Sequence, residues 1–122
     1  MDTNTSVSIK GGLLNVQSVG NKTLEIRELI NDESLDILMV TETWLNEYDT
    51  AKINEMTPLT HTFVHIPRKD KKGGGVGIFL RKSFKKVRLH KLEILNSFEN
   101  MKVGCEIAGR KCMIIVVNRP PI

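Results

Sequence analysis

Leu35-Asp36-Ile37-Leu38-Met39-Val40-Thr41-Glu42-Thr43-Trp44-Leu45 decides the reading of this chain. Leu35 to Val40 is a nearly unbroken apolar run of strand length. A strand with one wet face alternates apolar and polar residues, so a run without alternation predicts a strand covered on both faces, as in layered α/β folds. Upstream, Leu13-Leu14-Asn15-Val16, after Val7 and Ile9, reads as another strand whose end carries Asn15. Between the two, Gly20-Asn21 makes a turn, with Asn21 suited to cap a helix. Lys22 to Asn31 follows as that helix, with Leu24, Ile26, Leu29 and Ile30 at its apolar positions, and Asp32 to Ser34 end it. Strand, helix and strand with a short return form a βαβ unit, whose two strands run parallel and finish at one sheet edge. Asn15 and Glu42 share that edge.

Further on the pattern changes. Asn46 to Pro58 is polar and irregular, with room for a short helix around Thr50 to Met56. Thr60 to Ile66 alternates in part, Gly75 to Leu80 is apolar after two further glycines, and Val87 to Leu92 alternates cleanly. Met101 to Ile107 and Cys112 to Val117 read as a hairpin around Ala108-Gly109-Arg110. A two-residue turn at Ala108-Gly109 would set Cys105 and Cys112 opposite each other. Proline cannot extend a ladder, so Arg119-Pro120-Pro121 ends the last strand. The expectation is one α/β domain over residues 1–122, with its core in 13–121 and residues 1–10 as a flexible lead or a leading strand. A βαβ unit stands in front and mostly antiparallel strands behind.

A hydrophobic share of 40% and a charged share of 26% are ordinary globular usage and argue against disorder. No stretch approaches the roughly 18–20 apolar residues that cross a bilayer. Met1 to Lys10 has no apolar signal core, so the expected location is intracellular, nuclear or cytoplasmic, and not secreted. Two cysteines make no disulfide scaffold, and with three scattered histidines they lack zinc-ligand spacing. The net charge of +4 hides an asymmetry: residues 1–60 carry −6 and residues 61–122 carry +10. Ten lysines and arginines between Arg68 and Lys91 face the single Asp70. Such a region can neutralise phosphates, or simply be a solvated surface of strands and turns.

Three segments, taken in order, carry a resemblance. They are Leu14-Asn15-Val16-Gln17-Ser18 with Asn21-Lys22, then Asp36-Ile37-Leu38 leading into Thr41-Glu42-Thr43-Trp44-Leu45, then Lys72-Gly73-Gly74-Gly75-Val76-Gly77-Ile78 with Asn118-Arg119-Pro120-Pro121 at the close. Together they resemble the endonuclease domain that precedes the reverse transcriptase in non-LTR (long interspersed) retrotransposons. That domain belongs to the endonuclease/exonuclease/phosphatase superfamily, alongside abasic-site endonucleases and type I deoxyribonucleases. The likeness spans about Leu13 to Pro121. It implies an incomplete four-layer α/β/β/α sandwich and an ancestral magnesium-dependent hydrolysis of DNA phosphodiesters.

The resemblance also implies roles. Glu42 would be a ligand of the catalytic divalent metal, with Asn15 beside it. Magnesium favours octahedral oxygen coordination and keeps several waters, so one or two carboxylates and a substrate phosphate can hold it. Trp44, the only tryptophan, reads as a partly buried anchor for the loop after the second strand. The three glycines permit a tight entry to the next strand; no helix follows and Walker spacing is absent, so they are no nucleotide loop. Lys69, Lys71 and Lys72 beside them, and Arg119, are the candidate nucleic-acid contacts.

Two departures matter. Asn118 stands where the family's closing motif usually begins with tyrosine, and it remains a candidate catalytic residue without a phenol. The family's later Gly-Asp-Phe-Asn and Ser-Asp-His motifs do not occur, and His61, His65 and His90 match neither order nor neighbours. Those histidines are expected to be ordinary surface or strand residues. Glu42 then lacks a general base and charge-stabilising partners, and hydrolysis by this chain alone is not expected. A sheet face made to meet absent strands would expose an apolar patch and favour self-association or a missing C-terminal half. The leading expectation is a truncated, retrotransposon-derived endonuclease domain. The alternatives are a piece excised from an active nuclease and a non-enzymatic nucleic-acid-binding or interaction module.

Overall fold

The computed structural model describes residues 6–68, 73–90 and 98–119. Strand β1 (Gly11–Asn15), helix α1 (Thr23–Asp32) and strand β2 (Ile37–Thr41) form the expected βαβ unit, with β1 and β2 parallel and Asn15 opposite Thr41. Helix α2 (Thr50–Met56) precedes β3 (His61–Ile66), β4 (Val76–Arg81) and β5 (Lys85–His90). Strands β6 (Glu99–Ile107) and β7 (Arg110–Asn118) close the order. The first sheet runs β1-β2-β4-β3, with β4 antiparallel to both of its neighbours; the second runs β5-β6-β7, antiparallel throughout.

Side-chain alternation divides the core into two layers. On the helix side, Leu38 and Val40 of β2 and Phe79 of β4 meet Ile26 and Ile30 of α1 and Met56 of α2. On the other side, Val76, Ile78 and Leu80 of β4 meet Met101 and Val103 of β6 and Val116 of β7. Burying one such aliphatic or aromatic side chain stabilises by about 1.5–3 kcal/mol. Gly77 lies between them because Phe63 of β3 fills the space above it: a Cβ there would run into the Phe63 ring.

The layers are therefore helices, first sheet and second sheet, an incomplete form of the expected sandwich. The expected bare inner face is found only at β1, where Leu13 shares the face of its partner Met39, the face toward the second sheet, and is 68% exposed. The β6-β7 hairpin extends to Glu99 and Asn118, beyond the predicted Met101 and Val117, and is long enough to cover β2 and β4. Further apolar exposure falls on the outer face of β7, at Met113, Ile115 and Val117.

Two local expectations change as well. Helix α1 is capped at Lys22 without a side-chain cap bond, and Asn21 stays in the turn. The Lys22 ammonium reaches back to the carbonyls of Val16 at 2.8 Å and Gln17 at 3.3 Å, tying the helix start to the end of β1. Arg81, one of the cations of the basic stretch, is taken by Asp36 in a 2.6 Å ion pair and serves the fold. No helix among the described residues is long and apolar enough to cross a membrane.

Candidate functional site

The site lies where β2 ends. Strict alternation would send Glu42 after Leu38 and Val40 toward the helices. Its backbone takes a left-handed φ of 54° and breaks the alternation, and Trp44 does the same at 57°. Gln17 (50°) and Ser18 (81°), just beyond β1, are left-handed too. Non-glycine residues rarely hold that conformation, which costs on the order of 1–3 kcal/mol, and four of them on one sheet edge mark a place where geometry outweighs local comfort. Backbone bonds hold the edge in shape: Ser18 N–H to the Glu42 carbonyl at 2.8 Å, and Trp44 N–H to the Gly74 carbonyl at 2.8 Å.

Turned this way, Glu42 is buried, with 6% of its surface exposed, and its carboxylate faces the end of the second sheet. Oε2 accepts a bond from Asn118 Nδ2 at 2.8 Å, and Oε1 a weak one from the Trp44 indole N–H at 3.5 Å. Asn118 Nδ2 also donates to Glu99 Oε1 at 3.1 Å, and Glu99 Oε2 accepts the Gly75 N–H at 2.7 Å. Glu99 and Asn118 are directly paired across the hairpin, on the inward face that Met101, Val103 and Val116 also occupy. Gly73, Gly74 and Gly75, all with positive φ, close the site from the start of β4. A Cβ on Gly73 would sit 3.1 Å from Glu42 Oε1, and one on Gly74 2.6 Å from Glu99 Oε2.

Of the residues singled out from sequence, the fold brings Glu42 and Asn118 into contact. Asn15 stands on the same edge, exposed, and makes no side-chain hydrogen bond among the described residues. Arg119 follows Asn118 and is exposed. Lys69, Lys71 and Lys72 lie outside the described residues. Trp44 is partly buried, with 40% of it exposed, and its indole N–H faces Glu42. The residue missed is Glu99. The signal existed, since a turn at Ala108-Gly109 that pairs Cys105 with Cys112 also pairs Glu99 with Asn118 six rungs further along.

The histidines stand apart from this group. His61, in β3, is buried at 3% exposure, its Nε2 donating to the Leu35 carbonyl at 2.7 Å and its Nδ1 facing the Thr60 hydroxyl at 2.8 Å. Burial holds its pKa below the ordinary value. His65 is lowered by burial too, against a smaller opposing pull from Asp49, and its Nδ1 makes no hydrogen bond among the described residues. His90 is exposed on β5.

The polar groups that reach Glu42 are N–H donors, Asn118 Nδ2 and the Trp44 indole, with the Glu99 carboxylate on the far side of the Asn118 amide. Among the described residues no group of three or more His, Cys, Asp or Glu side chains gathers into a metal cluster, and no cationic side chain pairs with Glu42 or Glu99.

Known structures share this architecture. An AP endonuclease from Archaeoglobus fulgidus superposes with a TM-score of 0.57 at 18% identity, over 87% of this chain and 40% of that one. A 3′ phosphatase from Neisseria, bound to a product DNA hairpin, gives 0.59 at 19% identity, over 87% and 40%. A mannosyl-6-phosphatase from Bacteroides thetaiotaomicron gives 0.63 at 13% identity, over 92% and 51%. The chain thus spans between two-fifths and about half of these proteins. No curated protein sequence matches it. The model of the Endonuclease/Exonuclease/phosphatase family matches residues 12–109, from the start of β1 to the hairpin turn, and the chain belongs to that family.

Proposed function

We propose that this chain carries the metal-binding part of a retrotransposon-type endonuclease site, ancestrally a magnesium-dependent hydrolase of DNA phosphodiesters. The observation that supports the reading is Glu42: a buried carboxylate whose bonding partners among the described residues are neutral N–H groups. A buried charge is costly unless a countercharge or a metal meets it. The Glu42 oxygens are hard donors that suit a hard dication, and a second carboxylate, Glu99, stands one amide away. Glu42 would hold the ion, and Asn15 would stand beside it with a side-chain amide free for a phosphate oxygen. A dication bound there polarises the phosphoryl oxygen and stabilises charge on the departing one.

The chain's own residues orient and exclude water. Gly73 and Gly74 let the strand entry close over Glu42 and Glu99, and Asn118 donates where the family has a phenol. Glu99, the second carboxylate beside Glu42, already accepts a hydrogen bond at each oxygen, so the 122 residues alone are proposed to bind the ion without hydrolysing DNA. We also propose that a second copy, or a complementary C-terminal half, covers Met113, Ile115 and Val117.

The test is a pair of assays on the whole chain. Mg2+ or Mn2+ titration, followed by the fluorescence of the single tryptophan, should saturate and be abolished in Glu42→Ala. Supercoiled plasmid with Mg2+ should stay intact; nicking that disappears in Glu42→Ala would overturn the proposed inactivity. The alternative, a nucleic-acid-binding module, draws on exposed Lys82, Lys85, Arg88 and Arg110, which have no ion pair among the described residues. It requires steeply salt-dependent DNA binding that survives Glu42→Ala.

A further inference from the structure

We propose that Glu99 is a positioning residue of this site, holding the Gly73–Gly75 turn and the Asn118 amide in place against Glu42. The proposal rests on Glu42 being the metal ligand. The two oxygens of Glu99 hold different partners. Oε2 takes the Gly75 N–H at 2.7 Å, and Oε1 takes Asn118 Nδ2 at 3.1 Å. Bonds to a carboxylate are about twice as strong as neutral ones. One side chain on β6 thus pins the entry to β4 and the end of β7 together.

Asn118 is oriented by this pair of acids. A carboxylate accepts and does not donate, so the amide must turn its amino group toward both Glu42 and Glu99, with its carbonyl the other way. A phenol in the same position has one O–H and could not donate to both. Asparagine at 118 and glutamate at 99 therefore act as a unit, which gives a physical reason for asparagine where the family has tyrosine.

The glycines agree with this assignment. A Cβ at Gly74 would stand 2.6 Å from Glu99 Oε2, so the turn is shaped around that oxygen as well as around Glu42. The second carboxylate also adds negative charge beside the first, and a neutral amide between them compensates less than a dication would.

The experiment uses the isotopically labelled whole chain. Without metal, the Gly75 amide should exchange slowly with solvent, and the two Asn118 side-chain protons should resonate apart. In Glu99→Gln the Asn118 resonances should move. Rapid exchange of the Gly75 amide in the unmodified chain, or unmoved Asn118 resonances in the variant, would overturn the assignment. With Mn2+, Glu99→Gln should weaken binding by about tenfold, the lower end of what loss of a ligand-orienting group costs. Glu99→Asp keeps the charge but is too short to reach both partners, and should fall between the two; affinity equal to the unmodified chain would sink the proposal. If Glu99→Gln does not fold, Glu99→Asp and the Gly75 exchange still decide. If the unmodified chain does not titrate at all, the metal reading fails, while the metal-free resonances judge Glu99 separately.

Discussion

β4 and β7 look alike as sequence: Val76-Gly77-Ile78-Phe79-Leu80 and Cys112-Met113-Ile114-Ile115-Val116-Val117 are both unbroken apolar runs. In the fold they part company. All of β4 from Val76 to Leu80 is buried, between helices on one face and the second sheet on the other. β7 buries Val116 and half-buries Cys112, Ile114 and Asn118 on its inner face, while Met113, Ile115 and Val117 face outward and are about half exposed. An apolar run reports that a strand suits cover on both faces. It does not report where the second cover comes from.

That comparison can be broken at several strengths. Phe79→Ala should cost about 3–5 kcal/mol, since it empties a fully buried site packed on Phe63, and chemical denaturation will measure it. Gly77→Ala, which drives a methyl into the Phe63 ring, should cost about 1–3 kcal/mol by overpacking. A smaller effect comes with pH. His61 and His65 have pKa values lowered by burial, so the unfolded chain takes up protons first as pH drops through about 6.5. Their contribution should be complete above that pH and fade below it. Asp36 has burial working against it but is lowered on balance by the Lys10 N–H and Arg81, and should add a second loss below about pH 4. Denaturation midpoints from pH 8 to pH 3 should show both phases. Ile115→Thr should be the mildest change, under about 0.5 kcal/mol for an exposed position. A loss of 2 kcal/mol or more there, with a sedimentation shift, would show that a second copy covers β7.

The front of the molecule was legible because its signals are local. The apolar run before Glu42 and the helical spacing of Ile26 and Ile30 each sit within one element, and the βαβ rule joins them. The edge shared by Asn15 and Glu42 followed from the same rule. The environment of Glu42 was harder to read. The left-handed turns at Glu42 and Trp44 are set by the backbone bonds to the glycine turn, which composition does not announce, and neither does it announce the Trp44 indole N–H facing Glu42. Glu99 escaped because its place is a matter of register: nothing in Phe98-Glu99-Asn100 marks an acid for the site until the hairpin is counted back from its turn.

Counting has an evolutionary edge. Glu99 and Asn118 reach Glu42 because each sits an even number of residues, along its own strand, from Cys105 or Cys112. Substitutions at outward positions such as Lys102, Ile115 or Val117 leave that parity untouched. A single-residue insertion or deletion within either strand, unless a bulge absorbs it, would turn one partner to the opposite face. Drift in this lineage should therefore be generous in residue identity along the hairpin and intolerant of changes in its length, except at the tip around Ala108 and Gly109, where no Cβ added to Gly109 would meet any atom within 4 Å.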